Sequence, residues 1–284
     1  MAFTRQEIQH RLAASLGQDR SILGASAGTG LSARCAELGG ADLIVIYNSG
    51  RFRMAGRGSL AGMMPYGDAN QVVTDMSREV LPIVRNTPVL AGVCGTDPFR
   101  LMDVFLAELC RIGFSGVQNF PTVGLCDGIF RANLEETGMG FDLEVEMIGK
   151  ASHMGMFSTP YVFCEEDAYK MAHAGADVLV AHAGLTTKGA IGARTAMSLE
   201  EATGFVQRIA DAGKSVNPEI MVICHGGPIA EPDDAAWVLQ HTRGVCGFFG
   251  ASSIERLPTE IAIRQQVEKF KAISPGVPGG AMKR

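Results

Sequence analysis

The sequence predicts an α/β chain folded as a (β/α)8 TIM barrel, and three observations point there. Eight short runs rich in Val, Ile and Leu alternate with longer segments of helical period. The runs are apolar throughout rather than alternating, as strands are when both faces of a parallel sheet are covered. Gly39-Gly40-Ala41-Asp42-Leu43-Ile44-Val45 is echoed about half a chain later by Ala174-Gly175-Ala176-Asp177-Val178-Leu179-Val180, which matches the second run to the sixth. A chain of 284 residues with 46% hydrophobic content and 35 glycines is long enough to bury one large core, so a single domain over 1–284 is expected.

Thr4-Arg5-Gln6-Glu7 reads as a capping box, opening an N-terminal helix over residues 4–17. The barrel follows over 21–273. Its first strand, Ile22 to Ala25, runs into Ala27-Gly28-Thr29-Gly30-Leu31-Ser32, which holds two of the three glycines of a dinucleotide fingerprint. A doubly wound sheet would need the third, so the barrel is the better fit. The second strand, Leu43 to Tyr47, leads into a long connection, Asn48 to Asp68, carrying Arg51, Arg53 and Arg57. The third, Val89 to Val93, is followed by Asp97 ahead of Pro98, and the fourth, Gly116 to Asn119, by a second long connection that reaches Gly140 with Arg131, Glu135 and Glu136. Long connections in compact domains are usually functional, and these two have the charge to close over an anion. The fifth strand is expected over Phe157 to Tyr161. The sixth, Val178 to Ala181, empties into His182, and the seventh, Ile220 to Cys224, into His225-Gly226-Gly227. The eighth, Val245 to Phe249, ends in Gly250-Ala251-Ser252-Ser253. Ser274 to Gly280, rich in Pro and Gly, starts a C-terminal tail over 274–284.

A barrel places its chemistry at the C-terminal ends of its strands, so His182 and His225 should lie side by side at the mouth as acid and base. Gly226, Gly227, Gly250, Ser252 and Ser253 form the corner where such barrels cradle phosphate, with backbone N–H groups free to approach an anion. Gly28, Asn48, Arg51 and Arg131 complete the candidate anion-binding set. Magnesium takes one or two carboxylates plus substrate oxygens, and Asp97, Glu135 and Glu136 are the candidate ligands. The remaining histidines, His10, His153, His173 and His241, fall in helices and read as structural. Lys188 lies out in a loop, so an imine mechanism is not expected.

A net charge of -5 carries no basic stripe, so nucleic acid is not an expected partner. Seven cysteines stand singly with no CxxC pair, as reduced thiols do in a cytoplasm. No apolar run approaches the roughly 20 residues that span a bilayer, and the N-terminus lacks the apolar core of a signal peptide. A cytoplasmic protein acting on a small anion, away from membranes, is expected.

Gly24-Ala25-Ser26-Ala27-Gly28-Thr29-Gly30-Leu31, Ile46 to Arg53 (IYNSGRFR), Gly116 to Gly124 (GVQNFPTVG), His182-Ala183-Gly184-Leu185-Thr186-Thr187 and Cys224-His225-Gly226-Gly227-Pro228 resemble the phosphoenolpyruvate hydrolase-like family, also called the TIM-barrel signal transduction proteins. The resemblance runs from about Ser21 to Lys271. It implies a barrel of the phosphoenolpyruvate/pyruvate superfamily, a homo-oligomer, and a phosphonopyruvate hydrolase-type activity that gives pyruvate and phosphate. The acidic run that binds magnesium in characterised phosphonopyruvate hydrolases has no residue-for-residue match here. Two other functions stay open on the residues alone. One is a class II-type lyase or aldolase with zinc on His182 and His225. The other is a barrel that binds a phosphorylated metabolite or a protein without turnover.

Overall fold

The computed structural model describes residues 2–274. The expected tail lies outside the described residues from Pro275 onward. Nine strands build the core sheet: β1 (Ile22–Ser26), β2 (Leu43–Ile46), β3 (Val89–Val93), β4 (Gly116–Asn119), β5 (Phe157–Ser158), β6 (Tyr161–Val162), β7 (Val178–His182), β8 (Met221–His225) and β9 (Val245–Gly250). Around them run helices α1 (Arg5–Leu16), α2 (Gly30–Leu38), α3 (Asn48–Met54), α4 (Ala69–Val80), α5 (Met102–Ile112) and α6 (Gly128–Glu136), then α7 (Asp142–His153), α8 (Glu165–His173), α9 (Leu199–Val216), α10 (Pro232–Gln240) and α11 (Arg256–Lys271).

All strands pair in parallel, in the order β5-β4-β3-β2-β1-β9-β8-β7-β6. The expected fifth strand is split. Pro160 has no N–H to give a ladder, so β5 pairs only with β4 and β6 only with β7, with Thr159 and Pro160 between them. The backbone still reaches both ways at the break: Thr159 N–H donates to the Val117 carbonyl at 3.0 Å, and Val180 N–H to the Pro160 carbonyl at 2.9 Å. The result is an α/β fold on a curled nine-strand parallel sheet whose two outermost strands are neighbours in the chain.

The apolar strands are apolar because both their faces are covered. Ile44, Val45, Ile46, Leu90, Ala91, Val178, Leu179, Val180, Val222 and Ile223 are all buried. The helices contribute one stripe each: Val73, Met76 and Val80 on α4, and Ala202, Val206, Ile209, Ala210 and Gly213 on α9, at the three- and four-residue spacing of a helix face. The Thr4 and Glu7 capping box forms as expected, and α1 is held at its start by Arg5, which donates to Asp177 at 2.8 Å. The two long connections are not open loops. The first contains α3 and a 3-10 turn over Ser59–Met63, and the second a 3-10 turn over Val123–Leu125 and then α6. α11 differs from the other long helices, since only Arg256 and Leu257 are buried on it while Ile261, Ile263, Val267 and Phe270 are exposed. Among the described residues, no helix is long and apolar enough to cross a membrane.

Candidate active site

β7 and β8 are in register at their last residues, which sets His182 opposite His225. Their rings stand edge to face with centroids 4.7 Å apart. The two imidazoles are held in opposite tautomers. His225 Nδ1 lies 2.7 Å from the Phe249 carbonyl, which only accepts, so Nδ1 carries the hydrogen and Nε2 a lone pair. The Gly184 N–H, which only donates, points at His182 Nδ1 from 3.1 Å, so the hydrogen of His182 sits on Nε2. Burial pushes His225 down to about 4, with the Arg53 charge adding to the effect against the Phe249 hydrogen bond. Burial, and then His225, hold His182 well below the ordinary imidazole range. Both rings are therefore neutral at pH 7, one offering a base and the other a donor.

Tyr161 packs against both, 4.9 Å from the His182 ring and 5.1 Å from the His225 ring, and its hydroxyl lies 3.3 Å from that of Tyr47. Arg53 enters from α3. One of its terminal nitrogens donates to Ser26 Oγ at 2.5 Å and meets the Glu255 carboxylate at 3.3 Å, and its guanidinium lies 5.3 Å from the Tyr47 ring centre. Burial opposes the Arg53 charge, and Tyr47 and Glu255 outweigh that, so the group stays cationic. Its buried Nε has no hydrogen-bond partner among the described residues. Glu255 is itself held by the Gly28 N–H and by Ser32 Oγ, which donates at 2.6 Å.

Tyr47, Arg53, Tyr161, His182 and His225 wall a small cavity, together with Ser49, Ser59, Leu60, Phe120, Leu125, Leu185, Thr186, Ala251 and Ser252. It holds about 20 Å³, room for about one water. That is smaller than a keto acid, so a substrate needs the wall to move.

Of the residues expected from sequence, His182, His225 and Ser252 meet at this cavity. The others do not line it. The Gly28 N–H is taken by Glu255, and the Gly227 N–H by the Gly184 carbonyl at 2.8 Å. Gly226 and Gly227 have φ of 78° and 57° and press on the turn after β7, where a side chain would collide with the Gly184 and Ala183 carbonyls. Gly250 packs against Ile254, and the buried Ser253 Oγ has no partner among the described residues. Asn48 donates to the Gly62 carbonyl and accepts from Ser49 N–H, so it braces the 3-10 turn. Arg51 faces outward against Glu79, and Arg131 pairs with Glu135 and donates to the Val123 carbonyl.

The expected magnesium ligands do not assemble. Asp97 accepts from Asn70 and Phe99 N–H and meets Arg100, Glu135 accepts from Arg131 and Phe141 N–H, and Glu136 from Asn133. Among the described residues no three His, Cys, Asp or Glu side chains converge as metal ligands. Among the described residues the cavity wall carries no carboxylate, and its one ionised side chain is already a cation, so this donor set does not fit magnesium. It does not fit zinc either, because the Nε2 of His182 carries a hydrogen where a ligand needs a lone pair.

A second buried carboxylate sits at the end of β4. Glu144, on α7, accepts from Asn119 Nδ2 and Val123 N–H, both at 2.7 Å, and so ties the end of β4 to the turn beyond it. Burial pushes it up to about 8 against those donors. A raised carboxyl adds stability that is complete below its unfolded value of about 4.5 and is lost as pH rises through 8. The urea midpoint is expected to fall between pH 5 and 8, and Glu144→Gln to flatten that slope.

A neutral acid and base beside a buried cation, at the C-terminal edge of a parallel sheet, make an enzyme-like α/β arrangement. The chain belongs to the phosphoenolpyruvate hydrolase-like family, whose model matches residues 7–273. It is 61% identical over 267 residues to the ToMV susceptible protein tm-1(GCR26) of Solanum lycopersicum, and 60% identical over 270 residues to the ToMV resistance protein Tm-1(GCR237) of the same species. Those matches cover 94% and 95% of this chain but only 35% and 36% of the tomato proteins, so the chain spans about a third of their length. Among solved structures, it is similar in fold to oxaloacetate acetylhydrolase (TM-score 0.61, 14% identity, 97% of this chain and 90% of that one). It is also similar to a phosphonopyruvate hydrolase in complex with oxalate and Mg++ (TM-score 0.57, 16% identity, 93% and 87%).

Tyr47, Ser49, Ser59, Tyr161 and Glu255 are absent from the residues picked out by sequence, and Arg53, named there among the loop arginines, is absent from the anion-binding set. For Arg53 a signal existed. Read as a helix, Ser49 and Arg53 share a face at i and i+4 while Arg51 points away.

Proposed function

We propose that this chain breaks the bond to C3 of a small 2-oxo acid, with pyruvate leaving as its enolate, and that the curled sheet serves it as a closed (β/α)8 barrel in one domain. The observation that carries this reading is the pair of neutral imidazoles with opposite polarity, 4.7 Å apart, in a cavity whose one ionised side chain is Arg53. Arg53 binds the substrate carboxylate through its unused Nε. His182 donates from Nε2 to the C2 oxygen, where negative charge develops as the bond breaks, in a dry setting that makes such a donor effective. His225 takes a proton at Nε2. Cleavage of phosphonopyruvate, the substrate implied by the family resemblance, can be written with the same groups. Water loses a proton to His225 and attacks phosphorus, the C–P electron pair passes to C3, and the enolate takes a proton to give pyruvate beside phosphate.

Because Arg53 helps to depress His225, a carboxylate bound to Arg53 should raise it. kcat/KM is expected to fall only below a pH of about 4, where free His225 gains its proton, and kcat to fall at a higher pH. A pH series on both constants checks this.

Pyruvate release, followed by NADH oxidation through lactate dehydrogenase, tests the function over phosphonopyruvate and 2-oxo acids with a cleavable C3–C4 bond. Release that disappears in His225→Ala supports it, and no release from any of them sinks it. The expected homo-oligomer belongs to the same proposal, since exposed Ile261, Ile263, Val267 and Phe270 give α11 an apolar surface to bury. Light scattering that returns a 30.1 kDa particle would count against it.

A further inference from the structure

The charge balance of the cavity narrows the substrate, given the reading above that Arg53 receives the carboxylate. Among the described residues Arg53 is the one ionised side chain on the wall, and Glu255 faces it from 3.3 Å with both side chains 1% exposed. Glu255 is not free to leave, because the Gly28 N–H and the Ser32 hydroxyl also hold it. The two histidines add no charge at neutral pH. The site therefore sums to about zero before a ligand arrives and to one negative charge once a single carboxylate is bound. A second anionic group would meet the hydroxyls of Ser49, Ser59, Thr186 and Ser252 and the apolar Leu60, Phe120, Leu125 and Leu185, with no cation to receive it. An unpaired charge withdrawn from water is costly.

We infer that the site takes a 2-oxo monocarboxylate whose far end is uncharged, and that the fragment leaving C3 departs as a neutral carbonyl compound. The substrate class is a 4-hydroxy-2-oxo acid, and the reaction is aldol cleavage. His225 Nε2 takes the proton of the C4 hydroxyl. The O–H electron pair forms the new carbonyl, and the C3–C4 pair moves to C3 to give the pyruvate enolate, with its oxygen on the Nε2 hydrogen of His182. The imidazolium of His225 then returns its proton to C3. One hydroxy-oxo acid becomes one aldehyde and one pyruvate, with no oxidant, reductant or water consumed.

The test compares ligands of one carbon-chain length that differ by one terminal charge. Titration calorimetry at fixed ionic strength is expected to show 2-oxovalerate binding roughly tenfold or more tighter than 2-oxoglutarate. Turnover of 4-hydroxy-2-oxopentanoate to pyruvate and acetaldehyde is expected to exceed turnover of phosphonopyruvate. Glu255→Gln, which adds one net positive charge, should narrow the binding gap, and the wild-type comparison stands without it if that variant fails to fold. Tighter binding of 2-oxoglutarate, or faster turnover of phosphonopyruvate, overturns the inference and leaves the proposed function standing. If no 2-oxo acid binds and none yields pyruvate, both fall.

Discussion

His225→Ala is expected to lower turnover by about a hundred- to ten-thousand-fold, the usual contribution of a positioned general base. Its Nε2 is the one imidazole lone pair that the two tautomers leave on the cavity, so no neighbour replaces it. Alanine also removes the hydrogen bond to the Phe249 carbonyl and leaves that acceptor buried, at a cost of about 1–3 kcal/mol. His225→Asn separates the two losses. Its side-chain amide can donate to Phe249 as Nδ1 does but offers no base at the Nε2 position. His225→Asn should recover stability in a urea titration and leave turnover as low as in the alanine variant. Recovery of turnover by asparagine would assign the histidine to packing instead.

Arg53→Met is expected to abolish anion binding and also to destabilise the fold by about 3–5 kcal/mol, because it strands the Glu255 carboxylate without its cation. The destabilisation should be relieved by the second change. In Arg53→Met/Glu255→Gln no charge is stranded, and replacing both members of a buried ion pair by neutral groups is often close to neutral. The double variant should therefore unfold near the wild-type urea concentration while 2-oxo acid binding stays absent. Binding that returned with stability would show that Arg53 serves the scaffold alone.

The parts of this molecule that were legible in its sequence are those where one rule governs. Val178 to Val180 and Val222 to Cys224 are buried on both faces, so their composition announces strands, and the polar residue that ends each one, His182 or His225, has nowhere to go but the sheet edge. Phe157 to Tyr161 misled because Phe157 and Tyr161 are as buried as any strand residue, while Pro160 decides the pairing. The anion set misled for a different reason. Glycine-rich turns look like cradles for a ligand, yet the Gly28 and Gly227 N–H groups are used by Glu255 and by the neighbouring turn. Pairings across more than two hundred residues, as between Gly28 and Glu255, leave no trace in local composition. The choice between Arg51 and Arg53 was within reach, since it turned on whether the stretch after β2 is a loop or a helix.

The claim at the centre is that His182 and His225 make and protonate an enolate on a carboxylate held by Arg53, whatever fragment leaves. Proton NMR of pyruvate in deuterated water tests it without knowledge of that fragment, because the final protonation at C3 runs in both directions. Loss of the methyl signal faster than in buffer, and at the buffer rate in His225→Ala, is the expected result. Exchange at the buffer rate with the wild-type protein, under pyruvate concentrations that calorimetry shows to saturate it, would contradict the account.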